Sequence, residues 1–219
     1  MRPIHQNQPV YIAGKPLSAA RAALIMLHGR GSTAQSMLTL VPELNQPDFA
    51  FLAPQAHHNT WYPYRFLAPL AQNEPYLSSA LAAVEDVVAT VVNAGIPLDH
   101  LMLLGFSQGA CLALEFAARH ARRYGGVVGL SGGLIGPDDA PRDYAGSLAQ
   151  TPIFLGCSDL DAHIPEPRVH HSAEILRRLG SQVTTRIYPD LGHTINQDEL
   201  EFVRQMMTAL ASPNPAKIL

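Results

Sequence analysis

Short, continuously apolar segments alternate with segments of helical periodicity along this chain, and this alternation restricts the possible folds more than any other feature. Apolar runs typical of buried strands cover residues 22–27, 49–53, 101–104, 126–130 and 152–156, and a more mixed strand pattern covers 183–188. Helical spacing covers residues 77–93, 108–120, 169–179 and 196–211. Because parallel strands need crossover connections, the pattern predicts a mainly parallel, doubly wound α/β sheet with helices on both faces.

The length and charge of the chain narrow the classes of protein further. The 219 residues predict one domain, 1–219, without a separate lid domain. A net charge of −3 without runs of like charge predicts no nucleic-acid partner. The start lacks the apolar stretch of a signal peptide, and no segment reaches the roughly 18 apolar residues of a membrane span. We therefore expect a cytoplasmic protein, in which Cys111 and Cys157 are buried, unpaired thiols.

The segment Gly105-Phe106-Ser107-Gln108-Gly109 lies between a predicted strand and a predicted helix. A sharp strand-to-helix turn needs glycine on both sides, and it projects the central serine outward above the positive end of the helix dipole. The alternative is an ordinary turn in which Ser107 only caps the helix. The strand and helix around the motif favour a nucleophilic serine.

A serine hydroxyl attacks only when a base removes its proton and a third group orients that base. Where the serine lies on such a turn, the acid and then the histidine follow it along the chain, which leaves His163, His170, His171 and His193 as candidates. His170 and His171 fall inside a predicted helix, and His163 shares a short loop with the candidate acids. His193 follows the last predicted strand in a glycine-containing loop, so we predict it as the base.

Two carboxylates compete to orient the base. Asp159 and Asp161 both follow the strand at 152–156, at the edge of the sheet where its strands end. Position alone does not separate them.

The turn His28-Gly29-Arg30-Gly31 after the first predicted strand is placed to complete an oxyanion hole. We predict its donors to be the backbone N–H groups of Arg30 and Gln108. The guanidinium of Arg30 is also suited to attract an anionic leaving group or a substrate carboxylate. The alternative is a simple glycine-rich turn.

Aromatic residues cluster in the long connection 54–76. We predict that Trp61, Tyr62, Tyr64 and Phe66 bind substrate, in an open site bounded by the connections 54–76 and 132–149. The alternative is that they only pack this loop onto the domain. The pairs His57-His58 and His170-His171 do not have metal-site spacing, so we expect no metal ion.

Four motifs together resemble the phospholipase/carboxylesterase family of α/β-hydrolases, which includes acyl-protein thioesterases and small bacterial carboxylesterases. They are residues 27–31, residues 105–110, Asp161-Ala162-His163-Ile164-Pro165 and Gly192-His193, and the resemblance covers nearly the whole chain. It implies an α/β-hydrolase fold, oxyanion donors at Arg30 and Gln108, and hydrolysis of esters or thioesters without a cofactor. It also implies Asp161 as the acid, because that residue lies four positions before the proline of the matching segment.

The chain departs from the thioesterase members of that family in its first turn. They often carry Leu-Gly-Asp where this chain has Arg30-Gly31-Ser32, which weakens an assignment to acyl-protein substrates. The segment 59–63, Asn-Thr-Trp-Tyr-Pro, instead resembles a bacterial carboxylesterase subgroup.

The leading hypothesis is an esterase that hydrolyses a small-molecule ester through Ser107, His193 and Asp161. A thioesterase or lysophospholipase would use the same site. A protein of this fold that binds a ligand without catalysis is the alternative from another class. An enzyme like dienelactone hydrolase is disfavoured because its nucleophile is cysteine, whereas position 107 is serine.

Overall fold

The computed structural model describes residues 3–212. Its strands are β1 (Val10–Gly14), β2 (Ala22–Leu27), β3 (Phe49–Pro54), β4 (Leu101–Phe106), β5 (Gly126–Leu130), β6 (Pro152–Ser158) and β7 (Gln182–Tyr188). Its α-helices are α1 (Ala34–Leu38), α2 (Val41–Leu44), α3 (Tyr76–Asn93), α4 (Gln108–Arg119), α5 (Glu166–Arg178) and α6 (Gln197–Ala211). Short 3₁₀ turns lie at His57–Asn59, Leu70–Asn73 and Leu98–His100.

The strands form a single sheet in the order β1-β3-β2-β4-β5-β6-β7. All neighbours from β3 to β7 run parallel, and only β1 is antiparallel, pairing Val10 with Pro54. The predicted mainly parallel sheet is confirmed. Because the parallel strands end at the same edge, the turns after β2, β4, β6 and β7 meet there, where ligands bind in sheets of this kind.

Two hydrophobic cores explain why the central strands are apolar throughout. Ile25 and Leu103 face a core covered by α3, α4 and α5. Their neighbours Leu24 and Met102 face a second core covered by α1, α2 and α6. Successive side chains of a strand point to opposite faces, so a strand covered on both faces must be apolar at every position.

The edge strand β1 was missed by the sequence prediction, as was the short helix α2. In β1 the side chains alternate between exposed and half-buried, and Ile12 is 60% exposed. Such a strand carries no continuous apolar run, because one of its faces contacts solvent. Its place in the sheet comes from pairing with β3, which is more than 30 residues away along the chain.

The helix α3 has the length and the apolar composition of a membrane span, the only described helix that does so. Half of its 18 residues are buried inside the domain, including Val84, Val87 and Val91 in the first core. These contacts are those of a core helix that packs against the sheet.

Candidate active site

A sharp turn between β4 and α4 presents Ser107. Its backbone has φ 55° and ψ −117°, a conformation that is strained for any residue with a side chain. A Cβ atom at Gly105 would lie 2.2 Å from the carbonyl of Gly109, and one at Gly109 would lie 2.1 Å from the carbonyl oxygen of Leu27. Both glycines are therefore required: Gly105 for the reason expected from the sequence, a collision within the turn, and Gly109 because the neighbouring strand β2 approaches it.

Ser107, His193 and Asp161 are joined by hydrogen bonds although they are far apart in sequence. His193 Nε2 lies 2.9 Å from Ser107 Oγ, and His193 Nδ1 lies 2.7 Å from Asp161 Oδ2. A carboxylate only accepts hydrogen bonds, so Nδ1 carries the proton and Nε2 accepts the bond from the serine hydroxyl. This is the protonation state that a base needs in order to remove the serine proton.

The carboxyl of Asp161 is held in its ionised form. Burial opposes its ionisation, but the bond from His193 and the backbone N–H groups of His163 (2.8 Å) and Ile164 (3.0 Å) outweigh burial. The pKa of Asp161 is therefore lowered from its ordinary value. A negative charge thus lies behind the His193 ring at neutral pH, where it stabilises an imidazolium.

Asp159, the competing acid, does not contact His193. Its Oδ1 accepts a hydrogen bond from the backbone N–H of Asp190 at 3.0 Å. The neighbouring Ser158 Oγ accepts one from the N–H of Gly192, also at 3.0 Å. These two residues anchor the loop that carries His193, a role that no local sequence pattern indicated.

The other candidate histidines lie outside the hydrogen-bonded triad. The exposed ring of His163 packs edge-on against His193, with 4.7 Å between the ring centroids. His170 pairs with Glu166 one turn away on α5, at 3.1 Å. Within residues 3–212 there is no group of three or more His, Cys, Asp or Glu side chains suited to a metal ion.

Arg30 and Gln108 line the same cavity as Ser107. Neither of their backbone N–H groups donates to a protein acceptor within residues 3–212. Their side chains have a role that the sequence did not reveal, since they fasten the aromatic loop to the site. Gln108 accepts from the N–H of Trp61 at 2.9 Å and donates to the carbonyl of Tyr62 at 2.8 Å. Arg30 donates to the carbonyls of Pro63 and Tyr64 at 2.8 and 2.5 Å.

A cavity of about 320 Å³ opens beside Ser107. Its lining includes Gly29, Arg30, Ser32, Tyr62, Arg65, Phe66, Phe106, Gln108, Cys111, His163, Ile164 and His193. Two of the four aromatic residues predicted to bind substrate, Tyr62 and Phe66, are among them. The placement of the other two corrects that prediction, since neither is in the lining. Trp61 is fully buried and donates its indole N–H to the carbonyl of His28 at 2.9 Å, and Tyr64 is 56% exposed.

A buried carboxyl lies beneath this edge of the sheet. Glu199 in α6 is fully buried, and its Oε2 accepts from the N–H of Asn196 at 2.9 Å as part of a capping box. Its other oxygen has no hydrogen-bond partner within the described residues and faces Gly156. Burial raises the pKa of Glu199 to about 7.

Glu199→Gln is therefore expected to change how stability depends on pH. Because the pKa is raised in the folded protein, the carboxyl of Glu199 loses its proton at a lower pH in the unfolded chain than in the folded one. Its contribution to the free energy of unfolding is therefore complete below pH 4.5 and is lost as the pH rises to about 7. Between pH 4.5 and pH 8, the free energy of unfolding of the variant should rise by on the order of 3 kcal/mol relative to that of wild type. Urea unfolding across this range measures the difference, with the exposed Glu174→Gln as the control. If the free energies of unfolding of wild type and Glu199→Gln changed with pH in parallel, the interpretation of Glu199 as a buried carboxyl with a raised pKa would be wrong.

The sheet order and the strained serine turn define an α/β-hydrolase. The chain belongs to the phospholipase/carboxylesterase family, whose sequence model matches residues 11–211. It is accordingly a hydrolase of the carboxylesterase and thioesterase type.

Similar proteins include both enzyme types. A phospholipase/carboxylesterase from Dyadobacter fermentans superposes with a TM-score of 0.89 at 43% identity, covering 92% of this chain and 97% of that one. Acyl-protein thioesterase 1 from Saccharomyces cerevisiae is 28% identical over 212 residues, which are 84% of this chain and 91% of that protein. Acyl-protein thioesterase 1 from Gibberella zeae is 29% identical over 137 residues, or 58% of this chain, and the match spans only 55% of that protein.

Proposed function

We propose that this protein is a serine esterase that cleaves small carboxylic esters through an acyl-enzyme intermediate, with Ser107 as nucleophile, His193 as general base and Asp161 as the orienting acid. The observation that carries the proposal is the continuous hydrogen-bonded chain from Ser107 through His193 to the ionised Asp161, at 2.9 and 2.7 Å. The three residues follow three different strands, and Ser107 and His193 line the cavity.

The proposed reaction has two half-reactions. His193 Nε2 takes the proton of Ser107 while Oγ attacks the acyl carbon, and the backbone N–H groups of Arg30 and Gln108 stabilise the resulting oxyanion. His193 then gives its proton to the leaving alcohol as the carbon–oxygen bond breaks, which leaves an acyl-serine. A water molecule then attacks the acyl carbon while His193 Nε2 takes one of its protons, and His193 returns that proton to Ser107 Oγ as the acyl–oxygen bond breaks, which releases the acid and restores the free enzyme. No step requires a metal ion or an organic cofactor.

The cavity favours an ester with a short acyl group over a long acyl thioester. Its volume of about 320 Å³ is near the lower end of the range for ligand pockets, and the rings of Tyr62 and Phe66 line it. A thioesterase or lysophospholipase acting through the same residues is the second candidate, favoured by the similarity to the yeast thioesterase. We also propose a cytoplasmic location, which suits two buried thiols that form no disulfide.

A chain-length series tests the proposed substrate class. p-Nitrophenyl esters from acetyl to palmitoyl, together with the matching nitrothiophenyl thioesters, are assayed with a chelator present. We expect kcat/KM to be highest for acyl groups up to about hexanoyl, because a longer chain would extend out of the open cavity and gain little further contact with its apolar lining. We also expect esters to be hydrolysed faster than their thioester counterparts. An optimum at long acyl chains, or a preference for thioesters, would favour the second candidate instead.

A further inference from the structure

We propose that the natural ester carries a carboxylate in addition to its scissile bond, and that Arg65 binds this carboxylate beside Ser107, with Arg30 adding positive charge. This inference rests on the proposed esterase function. Its starting observation is the charge of the cavity lining, which contains two arginines and no aspartate or glutamate among the described residues. The ionised Asp161 lies behind His193 and is not part of the lining, so the two arginines are the charged side chains that the described lining presents to a ligand, in a chain whose net charge is −3.

The guanidinium of Arg65 is available for a ligand. Arg65 is exposed, and no carboxylate of residues 3–212 lies within ion-pair distance of its side chain. A cation at the rim of a cavity attracts anions, and its attraction is strengthened where protein walls exclude part of the water.

The backbone that presents Arg65 is firmly held, as a binding residue requires. The fully buried Asn73 accepts from the N–H of Tyr64 at 2.9 Å and donates to the carbonyl of Arg65 at 3.3 Å. The carbonyl of Phe66 accepts from the N–H of Gly136 at 2.7 Å. Hydrogen bonds therefore fix the chain before, at and after Arg65, which limits the entropy lost when a ligand is bound.

Arg30 contributes charge to the same cavity without its own carboxylate partner. Its guanidinium donates to two loop carbonyls, which are neutral, and lies 6.0 Å from the centre of the Tyr62 ring. Its positive charge therefore remains uncompensated by any described acidic side chain. Both terminal nitrogens of Arg30 already donate to loop carbonyls, so the bidentate pairing of a planar guanidinium with the two oxygens of a carboxylate is assigned to Arg65.

Paired substrates that differ only in charge test this inference. Monoethyl succinate and ethyl succinamate place the charge on the acyl side, whereas 4-acetoxybenzoate and 4-acetoxybenzamide place it on the leaving-group side. In at least one pair we expect kcat/KM of wild type to be about tenfold higher for the anion, a preference that falls as salt is added. The pair that shows the preference identifies the part of the substrate that carries the carboxylate.

Variants of Arg65 assign the preference to this side chain. Arg65→Gln should reduce the ratio of anionic to neutral kcat/KM to near one, and Arg65→Lys should retain part of it because the charge remains. The control is Arg178→Gln, which makes the same charge change at the exposed C-terminal end of α5, outside the cavity lining. Equal ratios in wild type and Arg65→Gln would overturn the inference.

Binding to the Ser107→Ala variant separates this inference from the proposed function. Calorimetric titration with 4-acetoxybenzoate, 4-acetoxybenzamide, monoethyl succinate and ethyl succinamate measures recognition without turnover. Tighter binding of an anionic ester than of its neutral partner supports the carboxylate site if this difference is lost in the double variant Ser107→Ala/Arg65→Gln. This conclusion holds even if wild type hydrolyses none of these esters. Hydrolysis of both members of each pair at equal rates, with equal binding, would overturn the carboxylate site and leave the esterase function intact.

Discussion

Ser107→Ala is expected to reduce kcat on p-nitrophenyl acetate by about ten-thousandfold to a millionfold, because the variant has no oxygen to form the acyl-enzyme. KM should change far less, since the cavity and its lining remain. Steady-state hydrolysis measures the loss, and a fluorophosphonate probe should label wild type at Ser107 and leave the variant unlabelled. A burst of nitrophenol equal to the enzyme concentration should also disappear.

Two controls make the Ser107 result specific. Ser78→Ala changes a half-buried serine of α3 outside the cavity lining, so its kcat should equal that of wild type. Alanine at position 107 has the same backbone strain as serine, so the melting temperature of Ser107→Ala should stay close to that of wild type. Hydrolysis by Ser107→Ala at wild-type rates would refute the proposed nucleophile.

Asp161→Asn is expected to reduce kcat by about ten-thousandfold while the protein stays folded. The amide NH₂ of asparagine would donate to His193 Nδ1, which moves the ring proton to Nε2. In that tautomer Nε2 cannot accept the proton of Ser107, although the distances of 2.9 and 2.7 Å could be preserved. Steady-state kinetics on p-nitrophenyl acetate measure the loss.

Asp159→Asn is the matched control, because it makes the same chemical change two residues earlier in the same turn. The asparagine oxygen can still accept from the N–H of Asp190, so we expect kcat within about threefold of wild type, as for substitutions outside the catalytic group. A larger loss in Asp159→Asn than in Asp161→Asn would exchange the roles of the two carboxylates.

Much of the fold could be predicted because the central strands are buried on both faces. The strands β2 and β5 were predicted at their observed boundaries, since covered strands are apolar throughout and end abruptly at turn residues. The edge strand β1 has one face in solvent and carries no such signal, so it was missed. The strands β4 and β6 extend two residues beyond their predicted ends, to Phe106 and Ser158, because pairing with neighbouring strands continues there.

The serine turn was predictable because its glycine pattern is contiguous in the sequence, although one of the two steric reasons for that pattern is not local. Glycine at 105 and 109 is needed where a Cβ atom would collide with nearby backbone, and these contacts come from the same turn and from β2 beside it. The position of His193 after the last strand was predictable as well, because parallel strands bring their carboxyl ends to one edge.

The sequence by itself determined the strands β2 to β7, the four longer helices α3 to α6, the serine turn and the edge of the sheet at which the polar residues meet. Only the tertiary structure decided which side chains face one another there. It placed Asp161 against His193 and Asp159 against the backbone, it buried Trp61 while leaving Tyr62 in the cavity, and it turned the side chains of Arg30 and Gln108 onto the aromatic loop. Secondary structure follows from short-range periodicity and sterics, whereas the direction of a loop side chain follows from hydrogen bonds to segments that are distant in the sequence.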